Sequence, residues 1–273
     1  MPIVTITRGS FTKGREVAKK LGKRMSYKVI SREILLKASK DFNVPEVNLK
    51  NALYNAPSIL DKFTYGKEKF MAFIRASILE QMVQDNVIYH GLAGYALLKG
   101  VGHELQVRIQ ADPEDRLHRY IEYYKQDHGV QLSEDEARCR LKKDDEERRK
   151  WSMYLREHDP HDANNYDLVY NASKLTVDDI VEDLARILQL PYMQATPESQ
   201  QQVEEEAKAA LVKTAIVKDF PTAQVSCKDS VAYVTVEADL RQEEHIVSMI
   251  KQETANVQDV QEVRVHVSPR YSI

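Results

Sequence analysis

The spacing of apolar and polar residues predicts strands that alternate with helices over residues 1–190. A short apolar run at 2–6 passes through a glycine-bounded polar segment into an amphipathic stretch from Val17 to Met25, which is typical of a strand, a turn and a helix. Between Lys67 and Gln84 apolar residues recur at three- and four-residue spacing, which predicts a helix with a buried stripe. The other predicted strands are 27–30, 86–90, 104–111 and 166–171, and the other predicted helices are 31–40, 133–156, 176–190 and one that starts at Asp112. Since such alternation favours right-handed crossovers, we predict a parallel sheet that binds ligands at the carboxyl ends of its strands.

A second pattern begins after residues 191–202, a segment with two prolines and a glutamine-rich run. Lys228, Asp229 and Ser230 form a predicted hairpin turn within it. The predicted order is helix, strand, strand, helix and strand, at 203–217, 223–228, 231–238, 241–254 and 259–267. We therefore predict an α/β protein with a three-layer domain at 1–190, a linker at 191–202 and a small α/β sandwich at 203–273.

The segment between the first predicted strand and helix carries candidate phosphate chemistry. Gly9 and Gly14 have the spacing of the P-loop pattern G-x-x-x-x-G-K-[ST], with Arg15 at the lysine position and Glu16 at the position of the Mg²⁺-binding hydroxyl. A helix N-terminus attracts anions, and arginine keeps the positive charge while adding donors that match phosphate oxygens. We therefore predict a nucleotide phosphate as the ligand, the alternative being a capped turn that binds nothing. Further candidate ligands are the hydroxyl groups of Thr7, Ser10 and Thr12.

Composition narrows the class of protein. Hydrophobic residues make up 42% of the chain and charged residues 30%, as in soluble globular proteins, and no apolar run approaches the ~20 residues that span a bilayer. The formal net charge of -3 gives no overall attraction to nucleic acid. Cys139 and Cys227 lie in different predicted domains, and the histidines near 158–161 lack further ligands, so neither a disulfide framework nor a metal site is predicted. With no transmembrane segment and no signal-peptide pattern, we expect a cytoplasmic protein.

Several blocks of residues, in order, resemble the cytidylate kinase-like proteins, a branch of the P-loop nucleoside monophosphate kinases. The resemblance covers residues 1 to about 190, and Arg15-Glu16 is similar to the loop ending S-R-x-x-G-S-G-G-R-E that is typical of the family. The matching residues are 3–8, 14–18, 31–34, Val87 and Ile88 with Ala93 and Tyr95, 111–116, 142–145 with Arg148, and 166–171.

The resemblance implies a P-loop fold with a helical lid that transfers the γ-phosphoryl group of ATP, with Mg²⁺, to a nucleoside monophosphate such as CMP. Such transfer needs in-line phosphates whose developing charge is neutralised by Mg²⁺ and arginines. The residues implied to hold the donor nucleotide are Gly9, Ser10, Thr12, Lys13, Gly14, Arg15 and Arg116. The residues implied to act in catalysis are Arg15, Arg148 on the lid, and Asp167, which would orient a lid arginine or a metal-bound water. Arg32 and Arg75 are implied to contact the acceptor monophosphate.

Each of these side chains also has an interpretation without a ligand. The charged segment 142–150 is then a solvated helix with i,i+4 pairs such as Asp145 to Arg149. Arg116 would form a surface ion pair, and Asp167 would simply end a strand. Similarly, Arg32 and Arg75 would pair with neighbouring acids.

Departures from the family pattern define a second hypothesis. Phe11, Thr12 and Lys13 stand where the family usually has Gly-Ser-Gly, and side chains there restrict how closely the backbone wraps a phosphate. His90-Gly-Leu-Ala93 stands where the family motif resembles G-R-G-A, which removes an arginine. If Lys13 reaches the phosphates, it can replace lost amide contacts and preserve catalysis. If the three side chains fill the loop, nucleotide binding should be weak. The alternative to the kinase is a nucleotide-sensing regulator whose altered loop binds phosphate without efficient turnover and whose C-terminal domain transmits occupancy to a partner.

Residues 203–267 are similar in order and pattern to BON domains, small modules implicated in phospholipid or ligand association and in protein assembly. The resemblance implies a protein partner or self-association through 203–273. A third hypothesis is therefore an association module whose nucleotide fold is empty.

Overall fold

The computed structural model describes residues 2–31, 33–43, 45, 66–91, 101–156 and 159–269. The described residues fall into two compact units. The first lies within Met1–Glu33 and Gln84–Thr196, and the second lies within Ile34–Ala52, Ser58–Val83 and Pro197–Ile273.

The first unit contains a five-stranded parallel sheet in the order β2-β3-β1-β4-β5. This arrangement confirms the predicted parallel sheet, and β1 is its central strand. The strands are β1 (Ile3–Arg8), β2 (Lys28–Ile30), β3 (Val87–Gly91), β4 (Glu104–Gln110) and β5 (Leu168–Asn171).

One face of this sheet is covered by α1 (Gly14–Met25) and α6 (Val177–Leu188). Both helices are amphipathic, and α6 begins with a reciprocal capping box between Thr176 and Asp179. Apolar side chains of the strands and helices form one buried core. Its fully buried members include Val4, Ile6, Val17, Leu21, Ile88, Val107, Ile180 and Leu184.

Two further helices of the first unit form the predicted helical lid. They are α4 (Pro113–His128) and α5 (Glu134–Arg156). Pro113 fits the first turn of α4, and Gly129 ends that helix in the left-handed conformation with φ 72°. Ser133 caps α5, since its hydroxyl accepts the Glu136 N–H at 3.3 Å. The two helices share a small apolar cluster of Leu117, Leu132, Ala137 and Leu141.

The second unit contains a three-stranded sheet in the order β6-β7-β8, with β6-β7 antiparallel and β7-β8 parallel. Its core is built from Val212, Ile216, Val234, Ile246 and Ile250 among others. The strands are β6 (Gln224–Lys228), β7 (Val231–Ala238) and β8 (Glu262–Pro269). The helices are α2 (Glu33–Asp41), α3 (Gly66–Met82), α7 (Pro197–Ile216) and α8 (Glu243–Thr254).

The structure moves some predicted boundaries. The helix predicted at 203–217 begins at Pro197, because proline suits the first helical turn and Glu198 complements the helix dipole there. The segment 191–202 therefore holds a 3₁₀ turn, Pro191–Met193, and the start of α7. The last strand begins at Glu262 instead of 259, since Asp259 has a left-handed φ of 59°. Among the described residues, no helix combines the length and the apolar character needed to cross a bilayer.

Candidate phosphate-binding site

The loop that leaves the central strand β1 is held close to the start of α1. Gly14 is the first residue of α1, and a Cβ atom added there would lie 2.8 Å from the Cβ of Arg8. Since real Cβ atoms do not approach this closely, glycine alone lets the helix start beside the end of the strand. The predicted glycine position is therefore explained by the packing of β1 on α1.

The loop backbone alternates between left-handed and ordinary conformations. Phe11 and Lys13 have φ values of 58° and 63°, whereas Thr12 between them does not have a positive φ. Such alternation turns successive amide groups toward one side and forms an anion-binding concavity. For side chains other than glycine the left-handed conformation costs about 1–2 kcal/mol per residue, so strain is concentrated at this loop.

Carbonyl and amide groups of the loop are used differently. The Gly9 carbonyl accepts the Thr12 hydroxyl at 3.0 Å, and the Lys13 carbonyl accepts two amides of α1 at 2.9 and 3.1 Å. The Ser10 and Phe11 carbonyls accept arginine side chains. Within the described part of the chain, the N–H groups of residues 10–13 donate no hydrogen bond. Among the described residues, the loop therefore has unused N–H donors, whereas most of its carbonyl acceptors are engaged.

The three residues that differ from the family loop, Phe11, Thr12 and Lys13, lie in different surroundings. The Phe11 ring packs on α4, with its centroid 4.9 Å from that of Tyr120 and 5.6 Å from that of Tyr123. Thr12 is buried and faces Gly9 inside the loop. Lys13 is half-buried and precedes α1. Only Thr12 of the three therefore fills the interior of the loop.

Two cationic side chains beside the loop have no partner among the residues that the structure describes. Arg15 is exposed, and neither the Arg15 guanidinium nor the Lys13 ammonium group forms a hydrogen bond or ion pair with any residue that the structure describes. Their charges add to the positive end of the α1 dipole. Lys13 and Arg15 therefore add positive charge at the start of α1.

Arginines of α4 fix the loop from behind. The Arg116 guanidinium donates to both carboxylate oxygens of Asp145 at 2.9 and 2.7 Å, and its Nε donates to the Ser10 carbonyl at 2.8 Å. Arg119, one turn further along, donates to the Phe11 carbonyl at 3.1 Å. Arg116 is one of the residues predicted for the donor site. Arg119 was not predicted, although its i,i+3 spacing from Arg116 places both on one helix face.

The lid helix α5 reaches the loop through Asp144. The Ser10 hydroxyl donates to the Asp144 carboxylate, and Arg148 Nε donates to the same carboxylate oxygen at 2.9 Å. The i,i+4 pair expected between Asp145 and Arg149 is wrong, because Asp145 binds Arg116 and Arg149 pairs with Asp159 at 2.8 Å. The i,i+4 pair of this helix segment is instead Asp144 with Arg148.

A cavity of about 360 Å³ lies between α4 and α5 next to Arg116. Its wall combines cationic and acidic groups with apolar carbon from Leu117 and Leu141. The charged lining residues are Arg116, Arg138, Lys142, Arg149, Asp145 and Glu146. The cavity is thus suited to a ligand with both an apolar surface and negative charge.

His161 also lines this cavity and is neutral near pH 7. Burial, and then the nearby charge of Arg108, lower the pKa of His161 below its ordinary value. Arg108 donates to His161 Nδ1 at 3.0 Å, which requires a neutral ring with its proton on Nε2. The backbone N–H of His161 and then Arg149 lower the pKa of Asp159 in turn.

Two of the remaining predicted residues contact other groups in the described structure. Arg75 lies on α3 in the second unit, where its Nη2 is 2.5 Å from Glu206. Asp167 precedes β5 and accepts the Gln106 N–H at 2.8 Å, at a level where Gln106 pairs with Thr5 in the middle of β1. Arg32 lies outside the described residues. Their proposed roles remain predictions.

The parallel sheet, the loop after its central strand and the helical lid define the P-loop kinase fold. The model of the cytidylate kinase-like family matches residues 3–174, well over half of the chain, and the chain belongs to that family.

Two solved structures are similar to this chain at low sequence identity. An uncharacterized protein from Eubacterium ventriosum is 18% identical, with a TM-score of 0.50 over 69% of this chain and 98% of that protein. The shikimate kinase from Bacteroides thetaiotaomicron is 13% identical, with a TM-score of 0.42 over 69% of this chain and 99% of that enzyme. Comparison with curated proteins gave no match.

Proposed function

We propose that the chain binds ATP at the loop of residues 9–15 and transfers its γ-phosphoryl group to a nucleoside monophosphate such as CMP. The observation that carries the proposal is that carbonyls of the loop accept hydrogen bonds, whereas the N–H groups of residues 10–13 donate none to any residue that the structure describes. A polyphosphate supplies the acceptors that such a concavity lacks. Membership of a cytidylate kinase-like family supports a nucleotide as the carrier of that phosphate.

In this proposal the chain acts by positioning and by neutralising charge. Arg15 and Lys13 have no competing partner among the described residues, so they are available to the β-phosphate without breaking an ion pair. Arg148 projects from the lid helix toward the same loop through its contact with Asp144. The apolar and charged wall of the 360 Å³ cavity next to Arg116 fits the nucleoside part of the donor.

Mg²⁺ would enter with the nucleotide. No cluster of three His, Cys, Asp or Glu side chains suited to a metal exists among the described residues. Mg²⁺ commonly uses one or two protein ligands together with substrate phosphates, so the site fits a metal that is carried by ATP. When bound, the ion supplies charge neutralisation to the β- and γ-phosphate oxygens.

The acceptor residues are proposed on the family resemblance. Arg32 and Arg75 would bind the monophosphate, and Asp167 would orient a lid arginine or a metal-bound water. For Arg75 this role requires its guanidinium to leave Glu206. For Asp167 it requires the carboxylate to leave the Gln106 amide.

Coupled measurement of ADP production from Mg·ATP with CMP, dCMP, UMP, AMP and GMP in turn tests the proposal. Arg15→Ala, prepared in parallel, controls for a contaminating kinase. We expect turnover with one monophosphate and loss of that turnover in the variant. Equal turnover by both proteins would assign the activity to a contaminant, and absence of turnover with every acceptor would contradict the kinase.

A second candidate function is nucleotide sensing with weak turnover. The buried Thr12 side chain inside the loop favours it, because it takes space that a phosphate-binding loop ordinarily leaves to the ligand. Saturable ATP binding without ADP production would support the sensor over the kinase. Absence of any saturable nucleotide binding would leave only the third hypothesis, an association module with an empty nucleotide fold.

We propose that residues 203–273 form a BON-like domain that binds a protein partner or a second copy of the chain. The order of α7, β6, β7, α8 and β8 supports the resemblance. The net charge of -3 favours partners other than nucleic acid, and two unpaired cysteines suit the reducing cytoplasm. Sedimentation of the full chain with and without Mg·ATP tests for nucleotide-dependent self-association.

A further inference from the structure

One carboxylate of the lid helix is held by two groups that a phosphate would also use. Asp144 Oδ2 accepts the Ser10 hydroxyl from the loop and Arg148 Nε at 2.9 Å from its own helix. Carboxylate and phosphate oxygens accept the same charge-assisted hydrogen bonds from hydroxyl and guanidinium groups. The Asp144 oxygen therefore stands where an oxyanion of a loop-bound ligand would be recognised.

We infer that Ser10 and Arg148 form an oxyanion subsite for a polyphosphate, and that Asp144 occupies it until the ligand displaces the carboxylate. Asp144 and a phosphoryl oxygen cannot both accept from the Ser10 hydroxyl, which has one proton to donate. The negative charges of the Asp144 carboxylate and of the phosphoryl group also repel each other. Binding of a polyphosphate thus separates Asp144 from the loop. As applied to ATP, the inference rests on the proposed function.

The neighbouring acid, Asp145, has a different role. Arg116 and Asp145 have side-chain exposures of 14% and 31%, and their two-pronged pair also anchors the Ser10 carbonyl through Arg116. Asp144 is more exposed, at 43%, so its carboxylate can turn into solvent without uncovering the core. Asp145 therefore maintains the loop, whereas Asp144 is exchangeable.

The need to displace Asp144 lowers the observed affinity of the chain for a polyphosphate. When only a fraction of molecules has an open subsite, the observed dissociation constant is the intrinsic one divided by that fraction. Because ion pairs of this exposure are weak, we expect Asp144 to weaken polyphosphate binding about three- to tenfold, and not by thousands. Arg148 is then delivered to the ligand in the same movement, since its partner has left.

Titration calorimetry of the full chain with tripolyphosphate, without divalent cations, tests the inference. We expect Asp144→Asn and Asp144→Ala to bind about three- to tenfold more tightly than the parent. Asp135→Asn removes the same charge from an exposed position in the first turn of α5 and should leave the affinity close to that of the parent. Ser10→Ala should weaken binding and reduce the gain from Asp144→Asn when the two are combined, because the shared donor is gone.

Unchanged or weaker tripolyphosphate binding in both Asp144 variants, with a parent-like melting temperature, would overturn the inference. So would an affinity gain of equal size in Asp135→Asn, since the effect would then be general electrostatics. The ADP production assay reports separately on the proposed function. Tighter tripolyphosphate binding in a protein without kinase turnover would keep the subsite and reject the kinase, and turnover without the affinity gain would do the reverse.

Discussion

Two turns of this protein use the same rare backbone conformation for different purposes. In the β6-β7 hairpin, Asp229 and Ser230 have φ values of 50° and 63°, close to those of Phe11 and Lys13 in the loop after β1. In the hairpin the Asp229 N–H donates to Glu205 at 3.0 Å, so a neighbouring side chain satisfies the amide. In the loop, the side chains of Arg116 and Arg119 donate to the carbonyls, and the amides of residues 10–13 donate to no group in the described part of the chain.

The contrast shows that left-handed residues alone do not mark a binding site. Asp is common in hairpin turns, where consecutive positive φ values match the twist of the strands. Phenylalanine and lysine have no such preference, and they stay left-handed because α4 holds the loop through Arg116, Arg119 and the ring of Phe11. The loop after β1 differs from the β6-β7 hairpin in two ways. Its left-handed residues are held in place by contacts with α4, and its N–H groups donate to no described residue.

The largest effect is expected from Arg15→Ala, which removes the free cation that the hairpin lacks. A charge-assisted hydrogen bond contributes about 1.5–3 kcal/mol, so ATP affinity should fall by about 10- to 100-fold. Because Arg15 has no partner among the described residues, the melting temperature of the empty protein should stay nearly unchanged. Titration calorimetry and thermal unfolding measure the two quantities.

Lys19→Ala is the matched control, since Lys19 is exposed on the same helix and carries the same charge. It should reduce ATP affinity much less than Arg15→Ala. Equal ATP affinity in the parent and in Arg15→Ala would remove Arg15 from the site.

The second largest effect is expected from removing Arg116, which holds the loop through the Ser10 carbonyl. Arg116→Ala removes the pair with Asp145 and the bond to the Ser10 carbonyl, and we expect a loss of about 1–2 kcal/mol in the free energy of unfolding, together with weaker ATP binding. Urea unfolding measures the loss. Arg138→Ala removes a similar two-pronged pair with Glu114 that is more exposed, and it should cost clearly less. If the two variants lose the same stability, Arg116 has no special part in holding the loop.

A smaller effect on the free energy of unfolding is expected from relieving the left-handed backbone strain at Lys13 and Ser230. Lys13→Gly and Ser230→Gly each place glycine at a left-handed position and should raise the free energy of unfolding by about 0.5–1 kcal/mol. Only Lys13→Gly should weaken ATP binding, since it removes a charge beside the loop. Urea unfolding and calorimetry on both variants test the comparison directly, and a loss of stability in Lys13→Gly would show that Lys13 is not strained.

The smallest effect is a pH dependence in the second unit. Lys213 donates to the carbonyls of Phe220, Pro221 and Ala223, and burial lowers its pKa to about 8. Between pH 8 and the ordinary lysine value of about 10.5, the unfolded chain holds this proton more often than the folded chain. Lys213 therefore makes stability rise with pH in that window.

Lys213→Met should remove this contribution, so the parent should gain stability over the variant between pH 8 and 10. Urea unfolding at both pH values measures the difference. Lys228→Met, at an exposed position, controls for the loss of a lysine. A parent-to-variant difference that shrinks as pH rises would contradict the lowered pKa.

Patterns that are local in the chain could be predicted from the sequence. The apolar run and glycine spacing around residues 3–25 predicted β1, the loop and α1 because short-range periodicity decides these elements. The hairpin at Asp229 and Ser230 followed in the same way from turn chemistry between two apolar runs. The family resemblance then agreed with the family model over residues 3–174.

Contacts between distant parts of the chain could not be predicted. The bond from Ser10 to Asp144 and the bonds from Arg116 to Ser10 and Asp145 depend on how α4 and α5 pack against the loop. Sequence spacing offered several equivalent acids on α5 and selected the wrong i,i+4 pair. Packing also decided that Phe11 leaves the loop for Tyr120 while Thr12 fills it.

The second unit is built from segments that lie far apart in the chain, and this affects its folding during synthesis. Its helix α3 precedes most of the first unit in the chain, yet α3 packs with α7 through Arg75 and Glu206, and the Val83 carbonyl accepts Gln200 at 2.8 Å. A ribosome releases residues 66–83 long before residues 197–254, so the nascent α3 must wait for its partners while more than a hundred further residues emerge. Until α7 is synthesised, the side chains of α3 that pack on α7 in the folded unit cannot be buried against it.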